Sequence, residues 1–196
     1  MRDKKLVPKN ALKDGAQILK TLLRQKGFKF RFRDAGKGSG GHYSWGEFVR
    51  ADRRLEIHFR QGLGLVRYHV SDRSASHEFY MRELGVGDQC QYPGFSNDPM
   101  SGFKDLLHDL DFACDFLDGS AEKLRQAAAK EEVAEKARQA GYAGDTAAIG
   151  RMRKYFRQKE YREVVKLAGT LKYPDRLSES EHKMVEIAQR RQLADV

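Results

Sequence analysis

Apolar and polar residues alternate most regularly between residues 53 and 70, and this alternation predicts a β-hairpin. Gly62-Leu63 has the Gly-X pattern of a two-residue turn, which would place Gln61 opposite Gly64. In that register six apolar side chains share one face, in the pairs Leu55 with Val70, Ile57 with Tyr68, and Phe59 with Val66. The opposite face is polar and would carry Glu56, His58, Arg60, Arg67 and His69.

Helical periodicity precedes this hairpin, and strand periodicity connects the two. Leucine and alanine recur at helical spacing within residues 9–25. Phenylalanine then alternates with lysine or arginine over residues 28–33, which predicts a strand. Residues 34–41 predict a flexible glycine-rich loop, and residues 42–50 a second strand with a bulge at Gly46. The beginning of the chain therefore predicts an α-β-β-β order and an antiparallel sheet of three or four strands.

The remaining residues predict helices. A short helix is expected at residues 76–84, and a longer one at residues 100–117 carries an apolar stripe opposite aspartates that we expect to face solvent or a basic surface. Residues 121–140 are rich in alanine and charge, which favours an exposed connecting helix that ends at a glycine break over residues 141–144. The predicted class is α+β. It comprises an α-β-β-β-α domain with a small antiparallel sheet at residues 9–118, a helical linker at 119–144 and a helical region at 145–193.

The helical region at 145–193 contains a recognisable repeat pattern. A capping box, Ser178-Glu179-Ser180-Glu181, begins its last predicted helix. Upstream lies the run Tyr155-Phe156-Arg157-Gln158-Lys159-Glu160-Tyr161-Arg162-Glu163-Val164-Val165-Lys166-Leu167-Ala168, in which an aromatic residue starts a helix after a tight turn. This run resembles a tetratricopeptide repeat, although the Trp-x-x-Leu-Gly pattern of the first repeat helix is absent. The resemblance covers about 45 residues and implies peptide binding, whereas a helical hairpin that packs on its own domain is the alternative.

Charge is unevenly distributed within the net +9 of the chain. Residues 1–73 hold 18 Lys and Arg against 7 Asp and Glu, residues 74–118 hold 2 against 9, and residues 119–196 hold 17 against 12. A basic first third indicates nucleic acid or an acidic protein as partner, or an acidic middle that docks on the basic beginning. Two cysteines without metal-ligand spacing, no apolar leader after Met1 and no membrane-spanning run favour a cytoplasmic protein without membrane contact.

The candidate binding residues are basic and aromatic side chains of the predicted strands. They are Lys29, Arg31, Arg33, His42, Tyr43, Trp45, His58, Arg60, Arg67 and His69. Cations interleaved with aromatic rings suit phosphate contact and base stacking. HExxH, CxxC, GxxxxGK[ST] and GxSxG are all absent from the sequence. We therefore expect no catalytic residue, no metal and no cofactor.

Three functional hypotheses follow. The first is a non-catalytic intracellular interaction protein, an accessory or neutralising subunit that binds a partner protein through the basic sheet face, the helical tail, or both. The alternative is RNA or DNA binding by the same basic face. The third is an enzyme that uses His58, Arg67 and His69 for acid–base chemistry. The first two hypotheses require a polar sheet face that is open to solvent and not covered by the acidic helix at 100–117. The third requires a pocket at His58, Arg67 and His69.

Overall fold

The computed structural model describes residues 7–94 and 96–194, so the interpretation of the chain around Met1 lies outside the described residues. Its elements are α1 (Pro8–Gln25), β1 (Lys29–Gly38), β2 (Gly41–Arg50), β3 (Arg53–Phe59), β4 (Leu63–Val70), β5 (Arg73–Ser76), α2 (His77–Glu83), α3 (Ser101–Leu110), α4 (Cys114–Leu117), α5 (Glu122–Arg157), α6 (Tyr161–Ala168) and α7 (Glu179–Ala194). Short 3-10 helices lie at Gly87–Gln89 and Pro174–Arg176.

The chain divides into two compact units, residues 1–132 and 133–196, and the boundary falls within α5. The three-part division expected from the sequence stays a prediction. Among the described residues, no helix combines the length and the low polarity needed to cross a membrane.

The first unit is built on a five-stranded antiparallel sheet in the order β1-β2-β3-β4-β5. The α+β class is therefore confirmed, with the short strand β5 added to those that the alternation predicts. All six apolar side chains of the β3–β4 hairpin are buried, as the alternation predicts: Leu55, Ile57, Phe59, Val66, Tyr68 and Val70.

The register of this hairpin differs from the prediction by two residues. Ile57 pairs with Val66 instead of Tyr68, and residues 60–62 form the turn. An irregularity of the ladder between Ile57 and Phe59 accompanies this longer turn. Since side chains alternate with a period of two, a shift of two leaves every side chain on its expected face. The sorting of the two faces is right although the predicted turn is wrong.

The predicted loop at residues 34–41 is mostly strand. β1 continues to Gly38, so that only a two-residue turn, Ser39-Gly40, separates it from β2. The bulge lies in β1 at Arg33, opposite the predicted position at Gly46. Gly46 instead permits a close approach, because a Cβ there would lie 2.8 Å from the ring of Phe30.

One face of the sheet is covered by α1 and α3. The rings of Phe59 in β3 and Phe103 in α3 stack with centroids 6.0 Å apart. The same Phe103 ring occupies the space beside Gly15 of α1, where any side chain would overlap it. The acidic segment therefore packs on the apolar face and does not cover the polar one.

That acidic segment is two helices, not one, because the helix stops at Leu110 and resumes at Cys114. Asp109, expected on a solvent-facing side, is fully buried. The carboxylate of Asp115 accepts hydrogen bonds from the backbone N–H groups of Glu122 and Leu124, at 3.1 and 3.2 Å, and so satisfies the free donors where α5 begins.

The second unit consists of the rest of α5 together with α6 and α7. The break predicted at residues 141–144 is absent, because α5 runs without interruption to Arg157. Gly141 instead makes room for a ring, since a Cβ there would lie 2.8 Å from Tyr173. The capping box is confirmed, with Glu181 Oε2 accepting from the backbone N–H of Ser178 at 2.7 Å. The core of this unit contains Met152, Val164, Met184 and Ala188.

Candidate functional site

The polar face of the sheet is formed by the side chains that alternate away from α1 and α3. Most of the predicted binding residues meet there: Lys29, Arg31, Arg33, Tyr43, Trp45, His58, Arg67 and His69. His42 does not join them, because it alternates to the same side of β2 as Ser44 and Phe48. Arg60 lies just past the end of β3, and its guanidinium packs against Gly40 of the β1–β2 turn.

A buried glutamate neutralises part of this face. Glu47 is 1% exposed and forms ion pairs with Arg33 and with Arg54, the latter at 3.5 Å. Strand alternation already places Glu47 and Arg54 on the polar face, so the sequence contained the signal for both. Arg33 and Arg54 are therefore committed, at least in part, to an internal carboxylate.

A second glutamate organises the histidines. Glu56 accepts hydrogen bonds from Nε2 of His58 at 2.6 Å and from Nε2 of His69 at 2.8 Å. Nη2 of Arg54 donates to Nδ1 of His69 at 3.2 Å. The hydrogen bond from His58, followed by that from His69, holds the pKa of Glu56 far below its ordinary value. The strand neighbour of Glu56 is Arg67. The predicted register, with Leu55 opposite Val70 and Ile57 opposite Tyr68, would place His69 there instead.

Arg67 is also paired, at the far side of the face. Its Nη2 lies 3.0 Å from Oε2 of Glu131, near the start of α5. The same carboxylate oxygen accepts the backbone N–H of Ser76 in β5 at 2.8 Å. The centre of the polar face is thus a set of internal pairs, in which His58 and His69 bind Glu56 and Arg67 binds Glu131.

Within the first unit, unpaired positive charge is concentrated at the edge strand β1 and on α1. Together these two elements carry eight Lys and Arg against Asp14 and Asp34. Seven exposed cations on these two elements have no anionic partner among the residues that the structure describes: Lys9, Lys13, Lys20, Arg24, Lys29, Arg31 and Lys37. We call four of them, Lys9, Lys13, Lys29 and Arg31, the cationic edge. Nζ of Lys9 and of Lys13 lie 5.3 and 5.6 Å from the ring centroid of Phe32. The sequence predicted the β1 half of this surface; the α1 half depends on how the helix packs.

Aromatic rings lie on the polar face, on β2 and β3 next to the β1 half of the cationic edge. The rings of Trp45 and His58 are stacked, with centroids 5.4 Å apart and planes 19° from parallel. Tyr43 lies two residues away on the same face, where its ring passes over Gly36. We call Tyr43, Trp45 and His58 the aromatic platform. All three side chains are partly exposed and lie outside the hydrophobic core.

A second cluster lies inside the first unit, beside a cavity of about 500 Å³ lined by residues that include His77, Cys90 and Tyr92. Potential metal-ligand atoms of His77, Cys90 and Asp109 lie within 4.8 Å of one another. Both imidazole nitrogens of His77 already have protein partners, however. Nδ1 lies 3.0 Å from the hydroxyl of Tyr68, and Nε2 lies 3.0 Å from Oδ2 of Asp109.

The cysteine of this cluster is not activated. Burial, with Asp109 nearby, raises the pKa of Cys90 to about 11, so that it is a neutral thiol near pH 7. Its Sγ donates a weak hydrogen bond to the carbonyl of Val86 at 3.4 Å. A satisfied buried network of this kind fixes the packing of the core and offers neither a free base nor a thiolate.

No family model, curated protein or solved structure matches this chain. The tetratricopeptide resemblance of the helical region at 145–193 therefore stays a prediction.

Proposed function

We propose that this protein is a non-catalytic interaction protein that binds an anionic macromolecule through its cationic edge. The observation that carries the proposal is the group of seven exposed, unpaired cations on α1 and β1, four of which form the cationic edge. An accessory subunit that docks on an acidic protein and a nucleic-acid-binding protein would both use this surface.

The internal pairing of the sheet centre supports a binding role over catalysis. Glu47 and Glu56 are engaged by arginine and histidine, so neither carboxylate is available as a general base. The pairing of these acids with arginine and histidine also offsets negative charge that would repel an anionic partner. We include a cytoplasmic location in the proposal, since Cys90 and Cys114 are free thiols and Cys114 is exposed.

The test is a binding titration with two labelled polyanions, polyglutamate and a single-stranded oligonucleotide, followed by fluorescence anisotropy at low and at rising salt. The first variant reverses the cationic edge and carries Lys9→Glu, Lys13→Glu, Lys29→Glu and Arg31→Glu. We expect its affinity for the bound probe to fall by roughly tenfold or more. For the oligonucleotide, the salt slope should become shallower by about 0.7 to 1 for each phosphate that the variant no longer neutralises.

The matched control reverses four exposed cations of the second unit. It carries Lys154→Glu, Arg157→Glu, Lys159→Glu and Arg162→Glu, and so changes the net charge by the same amount. This variant should bind like the unaltered protein. If the control variant failed to bind while the cationic-edge variant still bound, the binding surface would lie on the helical tail. If the unaltered protein bound neither probe at low salt, the proposal would be refuted.

A further inference from the structure

The aromatic platform is not explained by the fold. Trp45 and His58 stack on the polar side of the sheet, whereas the core lies on the other side. A tryptophan on a wet sheet face gives up the apolar burial that a core position would provide. Its ring is instead available to a flat ligand that brings its own π-system.

The platform is flanked by positive charge on two sides. Arg31 lies on β1, and Arg60 reaches across from the β3–β4 turn to Gly40. Among the described residues, neither guanidinium has an anionic partner. One exposed carboxylate, Asp34, pairs with Trp45 across the strands, and its Oδ1 accepts the backbone N–H of Ala35 at 2.7 Å. Glu56 also lies at the platform, but its carboxylate is engaged by His58 and His69. In the part of the chain that the structure describes, the unpaired charges beside the rings are therefore two cations and one carboxylate.

We propose that the anionic partner is a single-stranded nucleic acid, whose bases stack on the aromatic platform while its phosphates follow Arg60 and the cationic edge. This inference rests on the proposed function and names the partner of the same surface. Bases of a duplex are already stacked on one another, so an open sheet face can stack only unpaired bases. An acidic protein would neutralise the cations but would leave the rings unused.

Trp45 is the single tryptophan of the chain, so its fluorescence reports directly on the platform. The full-length protein is titrated at low salt with three probes: oligothymidylate, an abasic oligonucleotide of the same length, and polyglutamate. We expect oligothymidylate to quench Trp45 and to bind more tightly than the abasic strand. The abasic strand and polyglutamate should leave the emission nearly unchanged. Equal quenching by the abasic strand would overturn the stacking role.

A substitution adds an independent measurement. Trp45→Leu removes the ring, and we expect the affinity for oligothymidylate to fall roughly 5- to 150-fold, with the affinity for the abasic strand unchanged. The control Leu65→Ala changes an exposed apolar residue of β4, 42% exposed, and should have no effect. Because quenching is measured on the unaltered protein, the test survives a Trp45→Leu variant that fails to fold.

The outcomes separate this inference from the proposed function. Tight binding of polyglutamate, with equal binding of both oligonucleotides and unchanged Trp45 emission, would overturn the nucleic-acid assignment and leave the cationic edge as an acidic-protein site. Failure of all three probes to bind would overturn both. Oligothymidylate binding that quenches Trp45 and is weakened roughly 5- to 150-fold in Trp45→Leu supports the inference.

Discussion

Among single residues, the buried Asp109 accepts four hydrogen bonds and holds the segment between α2 and α3 in place. Its carboxylate accepts hydrogen bonds from side chains of His77 and His108, each at 3.0 Å, and from the backbone N–H groups of Gln91 and Tyr92, at 2.8 and 2.9 Å. Burial by itself raises the pKa of a carboxyl group. The four donors outweigh burial and lower the pKa of Asp109 to about 2.

This shift predicts an acid-sensitive contribution to stability. The folded-state pKa lies below the ordinary value of 3.8, so the ionised group contributes roughly 2 kcal/mol above about pH 5 and loses that contribution as the pH falls toward 2. Asp109→Asn should therefore lower the free energy of unfolding by about 2 kcal/mol or more near pH 7, and by much less near pH 2. Urea unfolding followed by Trp45 fluorescence measures both values.

The exposed neighbour Asp111 provides the control for that experiment. Asp111→Asn should change the free energy of unfolding by at most about 0.5 kcal/mol at either pH. A difference between the unaltered protein and Asp109→Asn that stayed constant from neutral to acidic pH would show that the pKa of Asp109 is not lowered by folding.

At the scale of elements, two glycines have functions that their positions in the sequence do not reveal. Gly15 lies inside α1 and Gly141 inside α5, where glycine weakens a helix. Each lies beside an aromatic ring, Phe103 and Tyr173 respectively. A sequence pattern shows the helix-breaking tendency of glycine but not the partner that arrives from elsewhere in the chain. This is why the sequence predicted a break in α5 that does not exist.

Gly15→Ala should destabilise the first unit. The new methyl group would overlap the Phe103 ring, which is fully buried and has little room to move, so overpacking should cost about 1 to 3 kcal/mol. The matched change Gly144→Ala, in a helix with no neighbouring atom in the way, should instead stabilise by up to about 1 kcal/mol. Urea denaturation followed by circular dichroism compares the stabilities of the two variants. If Gly15→Ala were stabilising, the close contact between Gly15 of α1 and Phe103 of α3 would be disproved.

In the binding surface too, the features that depend on one strand could be predicted, whereas contacts with distant elements could not. Strand alternation placed Arg31 and His58 on the polar sides of their own strands, because periodicity is a local property. That these sides form one face with Trp45 follows from the pairing of β1, β2 and β3. The contribution of Lys9 depends on the packing of α1 against Phe32, which has no signature in a short window of sequence. The pairing of Arg67 depends likewise on a helix that begins more than fifty residues later.

At the scale of the whole molecule, the net charge does not identify the binding unit. Residues 1–132 carry 23 Lys and Arg against 19 Asp and Glu, and residues 133–196 carry 14 against 9. The two units thus differ by only one net charge, at +4 and +5. In the first unit, however, the acids are concentrated beyond residue 74 and the cations before it. The separation of charge within that unit, more than its sum, favours the cationic edge as the binding surface.

A fragment of residues 1–132 should therefore fold and bind alone. Its hydrophobic core includes Leu124, Ala127 and Ala128 from the first turns of α5, and Glu131 pairs with Arg67. We expect this fragment to unfold cooperatively, to keep the Trp45 emission of the full chain, and to bind the polyanion with the same salt dependence.

A fragment of residues 1–118 provides the sharper comparison, because residue 118 is the end of the domain that the sequence predicts. It lacks the buried Leu124, which contributes about 1.5 to 3 kcal/mol, and it leaves Arg67 without its carboxylate. It should unfold at lower urea concentration than the 1–132 fragment, or fail to fold. Equal stability of the two fragments would mean that the start of α5 contributes nothing to the first unit, and the boundary would then belong near residue 118. Since removing α5 leaves both the cationic edge and the aromatic platform intact, a folded 1–118 fragment that no longer bound would show that the binding surface had been assigned to the wrong side of the sheet.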